Sequence, residues 1–127
     1  MREMLTGIVA AAVAVTMISG AAFAEGDAAA GEKVYKKCKT CHVIDEEKNK
    51  VGPHLVGIVG RTAGAADGFK YSKAMMESGI TWDEATIAAY LADPKGYIKG
   101  NKMAFVGLKK EEDIANVIAY MKAAAAQ

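Results

Sequence analysis

At 127 residues, 52% of them hydrophobic and 24% charged, the chain has the size and balance of one globular domain. A formal net charge of +1 excludes the broad basic field of a general nucleic-acid binder. Steering of any partner must then come from local clusters of charge.

The first 24 residues read as a targeting segment. Arg2 supplies a positive start beside an unusual Glu3, and Leu5 to Ile18 is apolar apart from Thr6, Gly7 and Thr16. Ala22-Phe23-Ala24 then carries the A-x-A pattern of signal-peptidase cleavage. Residues 1–24 are expected to be a signal peptide that is removed on export; an uncleaved anchor is the alternative, since Met4 to Ala24 could span a bilayer. The expected domain is 25–127, still at +1 because Arg2 and Glu3 cancel. A domain of this size buries a modest core and often needs a staple or a cofactor.

Asp27 caps a helix expected to run through AAAGEKVYKK to Cys38. Gly31 in its middle costs about 1 kcal/mol against alanine, so it marks close approach by another element or is simply tolerated. From Val43 to Gly68 no helix or strand period survives, and five glycines punctuate the stretch from Lys50 on. An ordered loop that long in a small domain suggests that it wraps something. Ser72 to Ser78 is a short helix. In TWDEATIAAYLAD, Thr81 as N-cap with Glu84 three positions on reads as a capping box, and Ile87, Tyr90 and Leu91 share a face. Asp93-Pro94 ends or restarts that helix, and KGYIKGNKMAF is irregular. The last helix is expected from Lys110 to Ala125. Three acids in its first turn complement the helix dipole, and Ile114, Val117, Ile118 and Met121 form its apolar stripe. The fold class is all-α.

Chemistry concentrates in CKTCH, Cys38 to His42, which holds the chain's two cysteines. A disulfide there closes a loop of only four residues and adds little stability. Thioredoxin-like redox chemistry wants the pair at a helix start in a strand–helix–strand setting, which is absent. A zinc site would need four protein ligands, and Cys38, Cys41, His42 and His54 fit no familiar spacing. Covalent haem attachment accounts for every residue of the stretch: each thiol takes one vinyl group, and His42 falls under the iron as proximal ligand. Candidates for the sixth ligand are Met75, Met76, Met103, Met121 and His54. Met121 reads as core, Met75 and Met76 as helix packing, and His54 as a loop histidine. Met103 stands apart, because irregular backbone can present its thioether.

The ordered motifs GEKVYKKCKTCH, VGPHLVGIVGR, GFKYS, TWDEATIAAYLADPKGYIKGNKMAF and VIAYMK resemble the class I c-type cytochromes, mitochondrial cytochrome c and the small c-two type of purple bacteria among them. That resemblance covers Gly31 to Lys122 and implies four to five helices wrapped around one haem c. It implies thioether links at Cys38 and Cys41, axial ligands His42 and Met103, and a Pro53 carbonyl accepting from the other His42 nitrogen. By the same likeness Tyr90 points its hydroxyl at the Met103 sulfur, and Arg61, Tyr71 and Trp82 line the haem propionates; Tyr90 and Trp82 also read simply as core. Asn101 stands where the family usually has a hydroxyl residue, and Gly31 and Tyr35 cross Tyr120. Two departures appear. Lys99 replaces a usual proline before the methionine loop, which raises the expectation of an alkaline exchange of Met103 for Lys99 or Lys102. Met75 replaces a polar residue near the haem.

The resemblance implies a periplasmic one-electron carrier and not an enzyme, passing electrons between a bc-one type complex and a photosynthetic reaction centre or terminal oxidase. Lys36, Lys37 and Lys39, then Lys95, Lys99 and Lys102, then Lys109 and Lys110 bracket both ligand segments. They form an expected docking ring for acidic membrane complexes, on a monomer that binds no nucleic acid. The competing reading is a sensor or peroxidase that loses Met103 and binds a small ligand.

Overall fold

The computed structural model describes residues 11–12 and 25–125; the signal-peptide reading of 1–24 lies outside these apart from that pair. Five helices follow in order: α1 (Ala28–Tyr35), α2 (Lys73–Glu77), α3 (Glu84–Ala92), α4 (Pro94–Tyr97) and α5 (Glu111–Ala125). No strand forms among the described residues, where one isolated bridge joins Thr62 to Thr81. The class is all-α, as expected. Within the described residues no helix is long and apolar enough to cross a membrane.

Helices α1 and α5 cross and form the frame. A side chain at Gly31 would collide with the Asn116 carbonyl of α5 and come within 2.9 Å of the Tyr120 Cβ, so Gly31 marks a close approach. One turn on, the Tyr35 and Tyr120 rings pack with centroids 5.1 Å apart. Asn116 ties the start of the domain down as well, its Oδ1 accepting from the Asp27 N–H at 2.8 Å. The α5 stripe of Ile114, Val117, Ile118 and Met121 is buried against Tyr35, Ile87, Leu91 and Leu108. Each such side chain removed from water contributes about 1.5–3 kcal/mol before entropy is charged against it.

Three expected boundaries move. The first helix stops at Tyr35, short of Cys38. Tight bonds from Lys37 N–H to Val34 O and from Cys38 N–H to Tyr35 O turn the backbone there, and Cys41 N–H to Cys38 O turns it again. The start of α3 is capped by Asp83 and not Thr81: the Asp83 carboxylate accepts from Thr86 N–H, and the Thr86 hydroxyl oxygen accepts from Asp83 N–H, both at 2.8 Å. Thr81 is instead held in the bridge to Thr62, and its carbonyl accepts from the Thr86 hydroxyl. Finally, Asp93 ends α3 and caps α4, so Lys95 to Tyr97 are helical where irregular backbone was expected. The remaining boundaries hold, with Ser72 and Ser78 capping α2 and an irregular loop from Val43 to Gly68.

Candidate haem site

The turns after α1, the glycine loop, α2, α3 and the segment 102–105 enclose one cavity of about 250 Å³ with mostly apolar walls. Cys38, Cys41, His42, Pro53, Arg61, Tyr71, Trp82, Tyr90 and Met103 all line it. These come from five separate stretches of chain, so the long loop does wrap a common centre. Of the expected site residues only Asn101 is absent from the lining. It is buried behind the wall, bonded to Pro94, Ile98 and Met103.

His42 is oriented by two contacts. Its Nδ1 donates to the Pro53 carbonyl at 2.7 Å, which leaves the lone pair on Nε2, the form that ligates iron. Burial holds the ring below the ordinary imidazole range; the bond to Pro53 opposes that shift and the Arg61 charge adds to it. Gly52 lies against the ring's flat side, where a Cβ would stand 2.5 Å from Cε1. The two cysteines form no disulfide, so both sulfurs are available for attachment. Burial, helped by neighbouring Cys41, pushes the Cys38 thiol up to about 11.

Met103 is half-buried, and its sulfur accepts from the Tyr90 hydroxyl at 3.8 Å. Tyr90 also packs on Trp82 with ring centroids 5.0 Å apart. Arg61 is anchored by its two terminal nitrogens: Nη1 donates to Val56 O at 3.1 Å and Nη2 to His54 O at 2.9 Å. Because a guanidinium only donates, the His54 Nδ1 that lies 3.3 Å from Nη1 must be the acceptor. His54 is thus a buried partner of Arg61, and the cavity lining does not include it. Arg61 Nε is the one buried side-chain polar atom among the described residues without a partner, and burial lowers the guanidinium from its usual value.

Sequence reasoning passed over several wall residues. Leu55, Ile58, Phe69 and Phe105 line the cavity, as does Met121, which read as core; Met75, expected near the haem, lines it too. For the four loop residues the signal was present only as apolar side chains without helical period, which a loop has no reason to keep unless it faces something buried; Met121 was hidden by its place on the α5 stripe.

The site fits a haem on its own chemistry. Two thiols, a neutral imidazole and a thioether share an apolar cavity, and Arg61, whose Nε–H has no partner, belongs to its wall, a setting that suits an anion such as a propionate. Together with the all-α fold this defines a c-type cytochrome of class I. The chain belongs to the cytochrome c family, whose profile matches residues 28–125. It is 58% identical to cytochrome c2 iso-2 of Magnetospirillum fulvum over 67% of this chain and 88% of that one. It is 48% identical to cytochrome c2 of Rhodospirillum rubrum over 94% of this chain and 98% of that one. Among solved structures, cytochrome cH from Methylobacterium extorquens superposes with a TM-score of 0.74 at 49% identity, covering 77% of this chain and 99% of that one. The cofactor is one covalently bound haem c, and the work of the family is electron transport.

Proposed function

We propose that this chain is a periplasmic one-electron shuttle in which His42 and Met103 are the axial ligands of a haem held by Cys38 and Cys41. The observation that carries it is the matched pair of supports. Pro53 O fixes His42 at 2.7 Å, and the Tyr90 hydroxyl reaches the Met103 sulfur at 3.8 Å, both on the cavity that holds the thiols. When bound, the haem supplies a ferric–ferrous couple, which methionine ligation and burial bias toward the ferrous form.

The chain's own residues then do four things. His42 stays neutral and donates through Nε2. Met103 offers a soft thioether whose donation Tyr90 moderates. Arg61 has its unpaired Nε–H left for an acidic substituent, with Tyr71 and Trp82 lining the same cavity. Tyr71 accepts from Ala66 N–H at 3.0 Å, which leaves its hydroxyl hydrogen free to donate to that substituent as well. The apolar walls keep water from the centre, so little solvent must reorganise when charge changes.

Partners are acidic faces of membrane redox complexes, of the bc-one type on one side and a reaction centre or terminal oxidase on the other. Lys37, Lys39, Lys95, Lys99, Lys102 and Lys109 are all exposed, and Lys37 and Lys102 reach the cavity rim. The ion pairs found among the described residues are Lys73–Glu77 and Lys122–Glu84, so those six cations keep their charge for a partner. Exposed Val51 stands at the same rim, a combination suited to brief, weakly bound encounters.

The test is the absorption spectrum of the protein exported with haem-maturation machinery. A c-type reduced α-band with a weak far-red iron–sulfur band in the oxidised form is expected. Attached haem without the far-red band, together with carbon monoxide binding by the reduced form, would overturn Met103 as ligand and with it the carrier reading.

A further inference from the structure

We propose that Asn101 is the positioning residue that holds Met103 in place, closing the methionine-bearing segment onto α4 through its side-chain amide. The proposal rests on Met103 being an axial ligand. Between Lys99 and Gly107 the backbone makes a single hydrogen bond to other backbone, Asn101 N–H to Ile98 O at 3.2 Å. Lys99 lacks the fixed φ that a proline would impose, so the segment's own chain does little to restrain it. The Asn101 side chain supplies what the backbone omits. Its Nδ2 donates to Pro94 O at 2.7 Å and to Ile98 O at 2.8 Å, and its Oδ1 accepts from Met103 N–H at 2.9 Å.

The orientation of the amide is forced. Pro94 O and Ile98 O can only accept and Met103 N–H can only donate, so all three bonds form with one rotation of the amide and not with its flip. The residue is 5% exposed, so water cannot readily replace these partners. A fourth bond, Lys95 Nζ to Asn101 O at 3.0 Å, binds α4 to the same residue from the solvent side. Asn101 thereby joins the end of α4 to the backbone nitrogen of the residue whose sulfur Tyr90 contacts. A hydroxyl residue has one hydrogen to donate and cannot serve Pro94 O and Ile98 O together while receiving Met103 N–H.

The experiment compares holoprotein of wild type, Asn101→Ala, Asn101→Ser and Met103→Ala. The readouts are the far-red iron–sulfur band, carbon monoxide binding by the reduced form, and hydrogen exchange at the Met103 amide. Losing three buried bonds should raise the population with Met103 detached on the order of 10- to 100-fold. Asn101→Ala should therefore bind carbon monoxide that much faster than wild type and lose amide protection at Met103. Asn101→Ser, which keeps an acceptor and one donor, should fall between the two, and it serves alone if the alanine variant does not fold. A wild type with the far-red band, and variants that match it in carbon monoxide binding and exchange, would overturn the proposal while leaving Met103 as ligand. A wild type indistinguishable from Met103→Ala in the far-red region would overturn the ligand assignment first, and the positioning role with it.

Discussion

Replacing Gly31 with alanine sets helix propensity against packing, and the two predict opposite signs. In an isolated helix the change would stabilise by about 1 kcal/mol. In the folded chain the new Cβ would press into the Asn116 carbonyl and sit 2.9 Å from the Tyr120 Cβ. Neither can swing away, since one is backbone and the other is fixed to it, so α1 and α5 must move apart. Moving apart loosens the Tyr35–Tyr120 contact and the seal over Val117, which is 0% exposed. Overpacking of this kind costs about 1–3 kcal/mol, and a clash with backbone belongs at the upper end. The net loss is then about 2 kcal/mol, or roughly 10 °C in Tm for a domain of about 100 residues. Thermal and guanidinium unfolding followed by circular dichroism would measure it on the holoprotein. Ala29→Gly, at an exposed site on the same helix, is the control and should lose only about 1 kcal/mol. An unchanged or raised Tm for Gly31→Ala would refute the close-approach argument.

Tyr90→Phe removes the hydroxyl on the Met103 sulfur and leaves the ring packing on Trp82, so the fold should survive. The sulfur becomes a better donor to ferric iron, and the reduction potential, read by equilibrium titration, should fall; a rise would contradict the bond's direction. Arg61→Lys replaces the two nitrogens that separately hold Val56 O and His54 O by one on a differently shaped stem and should cost about 1–3 kcal/mol in chemical unfolding, whereas no loss would mean the ammonium or water replaces the fork. The Asp83 carboxyl is held below its ordinary value chiefly by the Thr86 N–H. Its contribution is therefore present above the unfolded carboxylate range and lost as pH falls through the lower folded value. The stability gap between wild type and Asp83→Ala should close on acidification, and a gap constant with pH would refute the charge component of the cap. Association with an acidic redox partner, followed by stopped-flow reduction, should slow as salt is added and Lys37, Lys102 and their neighbours are screened; a flat rate would remove the docking ring.

What could be read from the sequence, and what could not, divides by the range of the interaction that decides it. The α5 stripe and the Ser72 cap were legible because their partners lie within a turn or two of the same helix. So was CKTCH, which carries its chemistry in five consecutive residues. The α3 cap failed for a local reason: Thr81, read as the cap, is held in the bridge to Thr62, and Asp83 two residues on takes the role. The role of Asn101 was hidden for a different one. Its family position set it near the methionine, but its three side-chain partners are the two carbonyls of α4's ends and the Met103 amide, which no spacing rule brings together. His54 likewise looked like an idle loop histidine until Arg61, seven residues on, came back to it. In each case the missed residue does not line the cavity. It satisfies the donors and acceptors of irregular backbone or holds a residue that does line it. A loop that must carry ligands without helix or strand bonds needs side chains to close its hydrogen bonds, and those side chains are polar, buried and without period. Buried polar residues in the loops, more than the ligands themselves, are therefore where variation among such chains should tune how firmly each ligand is held.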